Sequence, residues 1–110
     1  MKSISDEQLK EVLRLHRLWL EYNPTGVRAD LSDTDLSYRD LSGIDLTSAI
    51  LERADLTQAN LTGTNLEYAF LDKANFTKSN LSKVNLTRCF DKDTANFKDC
   101  ILDIISLLTM

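Results

Sequence analysis

The chain has 110 residues, 43% hydrophobic and 27% charged, with a net charge of −4, one proline and three glycines. That is enough for one domain with a modest core, and it leaves little room for long structureless linkers. The mildly acidic balance argues against direct binding to nucleic acid or to an anionic membrane, both of which call for a basic surface.

The opening stretch MKSISDEQ has no apolar run behind its lysine, and nothing in the chain approaches the length of a membrane span. Cytoplasm is therefore the expected compartment. Ser5 followed by Gln8 has the form of a capping box, and Ile4 and Leu9 are spaced to form a hydrophobic staple. Asp6 and Glu7 fall in the first turn, where the helix dipole favours acids. Leu9, Val12, Leu13, His16 and Leu20 then share one helical face, with Leu18 and Trp19 beside it. Pro24 disfavours helix in the residue before it and Thr25-Gly26 reads as a turn, so residues 1–26 are predicted to be an amphipathic capping helix and its exit.

From Ala29 a five-residue unit takes over. Its centres are Leu31, Leu36, Leu41, Leu46, Leu51, Leu56, Leu61, Leu66, Leu71, Phe76, Leu81 and Leu86. A small residue tends to precede each centre by two, Asp or Asn by one, and Ser or Thr to follow it. On a helix the leucines would advance about 140° per unit and scatter around the axis; on a flat strand an odd period would alternate them between faces. Neither element buries them together, so the chain must stack copies of itself and turn a corner every five residues.

ADLSD, ADLTQ, ANLTG, ANFTK and SNLSK are instances of A(D/N)LXX, and over residues 27–103 the chain resembles the pentapeptide repeat proteins. The resemblance implies an all-β solenoid: a right-handed quadrilateral β-helix with one unit per side, its small and central residues inward. Four sides are also supported by the chain itself. The units at 49–53, 69–73 and 89–93 each replace the usual Asp or Asn with Ile50, Phe70 or Phe90, and Gly43 and Gly63 form a matched pair twenty apart. About four coils are expected. Leu86 to Phe97 spans eleven residues where ten belong, which predicts a bulge or loop near 90–94. Both ends of such a rod need covering. The N-terminal helix is the lid at one end. At the other, residues 104–110 either continue the coil or fold over it as an apolar cap, and what stays exposed there invites a homodimer through this end.

No catalytic, cofactor-binding or metal site is expected. His16, the only histidine, sits on the apolar helix face, where a satisfied capping role explains it. The serines, threonines and aspartates follow the repeat outward, with no concavity to gather them. Cys89 and Cys100 match no zinc or redox spacing and fall in small inward positions, as reduced buried thiols. The N-x-S/T sequons at Asn60, Asn75, Asn80 and Asn85 are by-products of the repeat.

Function should therefore lie in surface recognition of a protein partner. Ile50, Phe70 and Phe90 stack three large apolar side chains on an outward face, and either the helix, the tail, a second copy or a partner should cover them. Asp30, Asp35, Asp40 and Asp45 ring the first coil, with Asp55 next in line, whereas later units carry Asn, expected to relieve repulsion and form amide ladders. Residues 27–70 hold eight acids and three bases, and residues 71–110 five acids and six bases. The resemblance also implies an alternative to a recognition scaffold, because some family members are acidic DNA mimics that bind a type II topoisomerase.

Overall fold

The computed structural model describes residues 1–110. Helix α1, Asp6–Leu20, opens with Ser5 as N-cap: the Ser5 hydroxyl accepts from the Gln8 amide and the Gln8 side chain accepts from the Ser5 amide. Its buried side chains are Leu9 and His16, while Lys10, Glu11, Arg14 and Arg17 face water.

Each five-residue unit closes a β-turn. The amides of Ala49, Ala59 and Ala69 donate to the carbonyls of Leu46, Leu56 and Leu66 at 2.9–3.0 Å. The residue before each of these donors has a positive φ, and so does every fifth residue from Asp33 (55°) to Arg88 (56°). A single positive φ at the third turn position is the requirement of a type II turn, which glycine meets most readily. Only Gly43 and Gly63 meet it with glycine. A polar clamp supports the turns, those at Gly43 and Gly63 included: Asp30 Oδ1 accepts both the amide and the hydroxyl of Ser32, at 3.1 and 2.6 Å. The same pair of bonds joins Asp35 to Ser37, Asp40 to Ser42, Asp45 to Thr47 and Asp55 to Thr57. Asn60 with Thr62 and Asn75 with Thr77 repeat it without charge. The Asp/Asn-Leu-Ser/Thr order is thus a turn device, with the hydroxyl and the carboxylate or amide holding the corner between them.

Successive coils pair in parallel register. The Leu31 amide donates to Ile50 O at 2.8 Å and the Ile50 amide to Ala29 O at 3.0 Å. Bridges run Asp30 to Ile50 to Phe70 to Phe90 on the first face and Asp35 to Asp55 to Asn75 to Asn96 on the second. The third face holds Asp40, Asn60, Asn80 and Ile101, and the fourth Asp45, Asn65 and Asn85. The step is twenty residues until the last coil, where Asn75–Asn96 and Asn80–Ile101 are twenty-one apart. The extra residue is absorbed where it was expected, by Asp91 at φ 59° and a 3-10 helix, Lys92–Thr94. Beyond it Phe97 stacks on Phe76 with centroids 5.1 Å apart. The central leucines and Phe76 are 0–1% exposed and form one core with the inward alanines.

The sides are isolated single-residue bridges, because two of every five residues are committed to the turn. Two expectations are corrected. The asparagines form no amide ladder; their Oδ1 atoms accept from the amide two residues on instead. The C-terminal segment leaves the coil as helix α2, Ile104–Thr109, yet it caps through polar groups rather than its apolar ones. Asp103 accepts from both the Ser106 and Lys83 amides at 3.0 Å. Thr109 accepts from the Leu86 amide at 3.0 Å and lies 3.1 Å from Val84 O. The physical reason is that the end of a coil exposes backbone donors and acceptors, which only polar side chains can satisfy.

At the other end α1 lies over the core, and the chain before it does what no motif announced. Lys2 adds a single-residue strand to the second face of the first coil, donating to Asp33 O at 2.7 Å and accepting from Asp35 N at 2.8 Å. No helix is long and apolar enough to cross a membrane.

Candidate protein-interaction site

Two apolar surfaces result. The first is the column on the first face. Phe70 and Phe90 stack with centroids 4.6 Å apart and planes 15° from parallel. Arg28, in the segment between α1 and the first coil, places its guanidinium 5.5 Å from the Phe70 centroid and 5.7 Å from that of Trp19. Covering is therefore partial and comes from the N-terminal end: Ile50 and Phe70 are half-buried, while Phe90 is left 45% exposed. The C-terminal segment packs elsewhere, against Lys83, Val84 and Leu86.

The second surface was anticipated as a sticky end but not in its form. Because α2 turns Ser106 and Thr109 toward the coil, its remaining face points out. Ile104 is 67% exposed and Leu108 77%, and Ile101, Ile105, Leu107 and Met110 are exposed with them. The signal available in sequence was the Asp103-x-x-Ser106 capping box, which fixes which side of α2 faces the coil.

The aspartates of the first coil are exposed at Asp30, Asp35, Asp40 and Asp45, and half-buried at Asp55. They ring the coil as expected, but one oxygen of each is occupied by its own turn. The bonds from Ser32, Ser37 and Ser42 hold the carboxyls of Asp30, Asp35 and Asp40 below the usual range. Among the bridging residues only the second face puts two acids in line, Asp35 above Asp55, while Glu52 and Asp72 repeat twenty apart on the first face. Farther along the rod the corners carry Lys73, Lys78, Lys83 and Arg88, and Arg53 pairs with Asp33 at 2.8 Å.

His16 is fully buried, with Nδ1 accepting from Ala29 N at 2.9 Å and Nε2 3.0 Å from Thr47 O. Both nitrogens are spoken for by structure, and burial lowers its pKa. The cysteines are free and half-buried rather than buried, because their units belong to the last coils. Their thiols donate to Leu66 O and Phe76 O at 2.9 Å, and burial pushes Cys89 up to about 11. No group of three or more His, Cys, Asp or Glu is placed to hold a metal ion.

The family model for pentapeptide repeats matches residues 27–63 and 54–90, in eight copies. Among solved structures, a pentapeptide repeat protein of the cyanobacterium Cyanothece 51142 is 36% identical over 71% of this chain, with a TM-score of 0.42. HetL, a pentapeptide repeat protein involved in heterocyst differentiation regulation in Nostoc sp. strain PCC 7120, is 29% identical over 67% of it, with a TM-score of 0.40. The chain spans 59% of the first of these proteins and 43% of the second. No curated protein matches it.

Proposed function

Because the chain belongs to the pentapeptide repeat family, whose members are β-helical solenoids and generally structural or interaction proteins, we propose that it is a non-enzymatic scaffold for protein recognition. Its C-terminal end takes a second copy of the chain. The observation that carries this is the apolar surface at that end of the rod: Ile104, Ile105, Leu107 and Leu108 of α2, with Ile101 before it and Met110 after it, each at least 41% exposed. Left in water they amount to a patch on the order of 600 Å², at the upper end of what an ordinary monomer tolerates. Two copies meeting there would bury on the order of 1,200 Å², the lower edge of a stable interface. The Phe90 end of the aromatic column remains for a different protein.

The test is sedimentation velocity across a concentration series, comparing the chain with Leu108→Asp. A dimer in the first and a monomer in the second is the expected result, and a monomer in both up to about millimolar concentration overturns self-association. A pull-down with Phe90→Asp then asks whether partner capture depends on the column.

A second reading, a DNA mimic acting on a topoisomerase, draws on the ring of Asp30, Asp35, Asp40 and Asp45. A duplex presents phosphates along its length, whereas these carboxylates run around one coil and give way to Asn60, Asn65, Asn80 and Asn85 beyond it. A gyrase supercoiling assay, with and without a quinolone, separates the two: a scaffold leaves it unchanged.

A further inference from the structure

At every face a coil offers one carbonyl and one amide to the coil that follows. On the second face Ala54 O accepts from Asn75 N and Leu56 N donates to Asn75 O; one coil later Ala74 O and Phe76 N bond Asn96 in the same way. In the last coil the equivalent pair is Ala95 O and Phe97 N, and neither makes a hydrogen bond within the chain. The first and third faces end alike, with Cys89 O and Asp91 N open on one, Cys100 O and Leu102 N on the other. Only the fourth face is closed: Thr109 takes Val84 O and Leu86 N, and Asp103 takes Lys83 N. The core is unfinished at the same level. Ala74, Phe76, Ser79 and Leu81 are fully buried, whereas Ala95, Phe97, Cys100 and Leu102, one coil on, are half-buried.

We propose that the second face of the last coil pairs in antiparallel register with the same face of a second copy, so that backbone hydrogen bonds join the two rods alongside α2. This rests on the self-association proposed above and gives it a register. An open sheet edge is a template for strand addition, and a strand set against its own two-fold image runs antiparallel to it. The two-fold that puts α2 against its mate on the fourth side passes through the opposite side, the second. In an antiparallel pair centred on one residue, the amide after that residue donates to the carbonyl before its mate, and reciprocally. The open groups have this arrangement about Asn96: Phe97 N of each copy meets Ala95 O of the other. The outward column here runs Asp35, Asp55, Asn75, Asn96, so the residue brought against its own image is uncharged. Around the edge stand Asp91, Lys92, Asp93, Lys98, Asp99 and Asp103, four acids and two bases, a modest repulsion that backbone bonds and apolar cover must outweigh. Ile101, on the third face of the same coil, belongs to the apolar patch of α2, so edge and patch form one surface. Strands pair about 4.8 Å apart and helices about 8–10 Å, so the two rods meet at an angle that opens toward the fourth side.

The experiment follows amide exchange by NMR in the full chain and in Leu108→Asp, at a concentration where sedimentation shows the parent as a dimer. The Phe97 amide should exchange at least about tenfold more slowly in the parent than in the variant, while the Phe76 amide, already bonded to Asn96 O, is equally slow in both. Residues directly opposite in such a pair have Cα atoms about 4.5 Å apart, within disulfide reach. Asn96→Cys should therefore give a covalent dimer on oxidation with diamide, the link mapping to position 96 rather than to Cys89 or Cys100. Asn75→Cys, one coil back, should give none. Two results overturn the pairing: a dimer whose Phe97 amide exchanges as fast as in Leu108→Asp, or an Asn96→Cys chain that links no faster than Asn75→Cys. Either leaves a dimer held by α2 alone standing. A parent that stays monomeric up to about millimolar concentration overturns both readings.

Discussion

His16 Nε2 lies 3.0 Å from the carbonyl oxygen of Thr47, thirty-one residues away, and through that bond the capping helix is joined to the corner of the first coil. Since Nδ1 accepts from the Ala29 amide, the proton of the neutral ring is assigned to Nε2, which donates to Thr47 O. Protonation of Nδ1 would set two donors against each other. With the folded pKa lowered by burial below the ordinary value of 6.5, the contribution to stability is complete above that value and is lost as pH falls through it. Thermal melts should be flat from pH 8 to about 6.5 and decline below, ahead of the carboxylate range. In His16→Leu that decline should vanish, while the whole curve drops by about 1–3 kcal/mol for each orphaned backbone group.

Gly26 and Gly43 are required for different reasons. A Cβ at Gly26 would lie 2.2 Å from the Trp19 backbone nitrogen, so Gly26→Ala should push the exit turn off α1 and cost about 1–3 kcal/mol. A Cβ at Gly43 meets nothing within 4 Å, and only its φ of +68° resists a side chain. Gly43→Asn should be close to neutral, since Tyr38, Ser48 and Arg53 hold equivalent corners without glycine. Urea unfolding of the two variants checks the contrast.

Leu61 is fully buried in the middle of the rod and should lose about 2–5 kcal/mol as Leu61→Ala, whereas Leu108→Asp, at 77% exposure, should stay within about 0.5 kcal/mol of the parent. Denaturant midpoints measured at a concentration where both are monomeric would show the difference. Equal losses would mean that the exposed face of α2 packs on the coil after all.

Cys89 should react slowly. A thiol moved from 9.0 to about 11 holds about a hundredfold less thiolate at pH 8. Labelling of the native chain at Cys89 should lag that of the unfolded chain by at least that factor, and equal rates would mean that the last coil is open.

Much of this molecule is written in its sequence. A leucine every fifth position can be buried only by a chain that turns each five residues, and matched exceptions twenty apart fix four turns per coil. The capping box at Ser5, the stop at Pro24 and the inserted residue near Phe90 depend on neighbours a few positions away, and for that reason they could be read directly. What the tertiary structure alone decided concerns groups with no local partner. The seating of His16 on Thr47, the strand made by Lys2 and the polar docking of α2 all follow from where a coil's unpaired backbone meets the chain's two ends. Periodicity specifies the interior, because every repeat sees the same neighbours. It says nothing of the ends, where the repeat runs out and each hydrogen bond must be found separately.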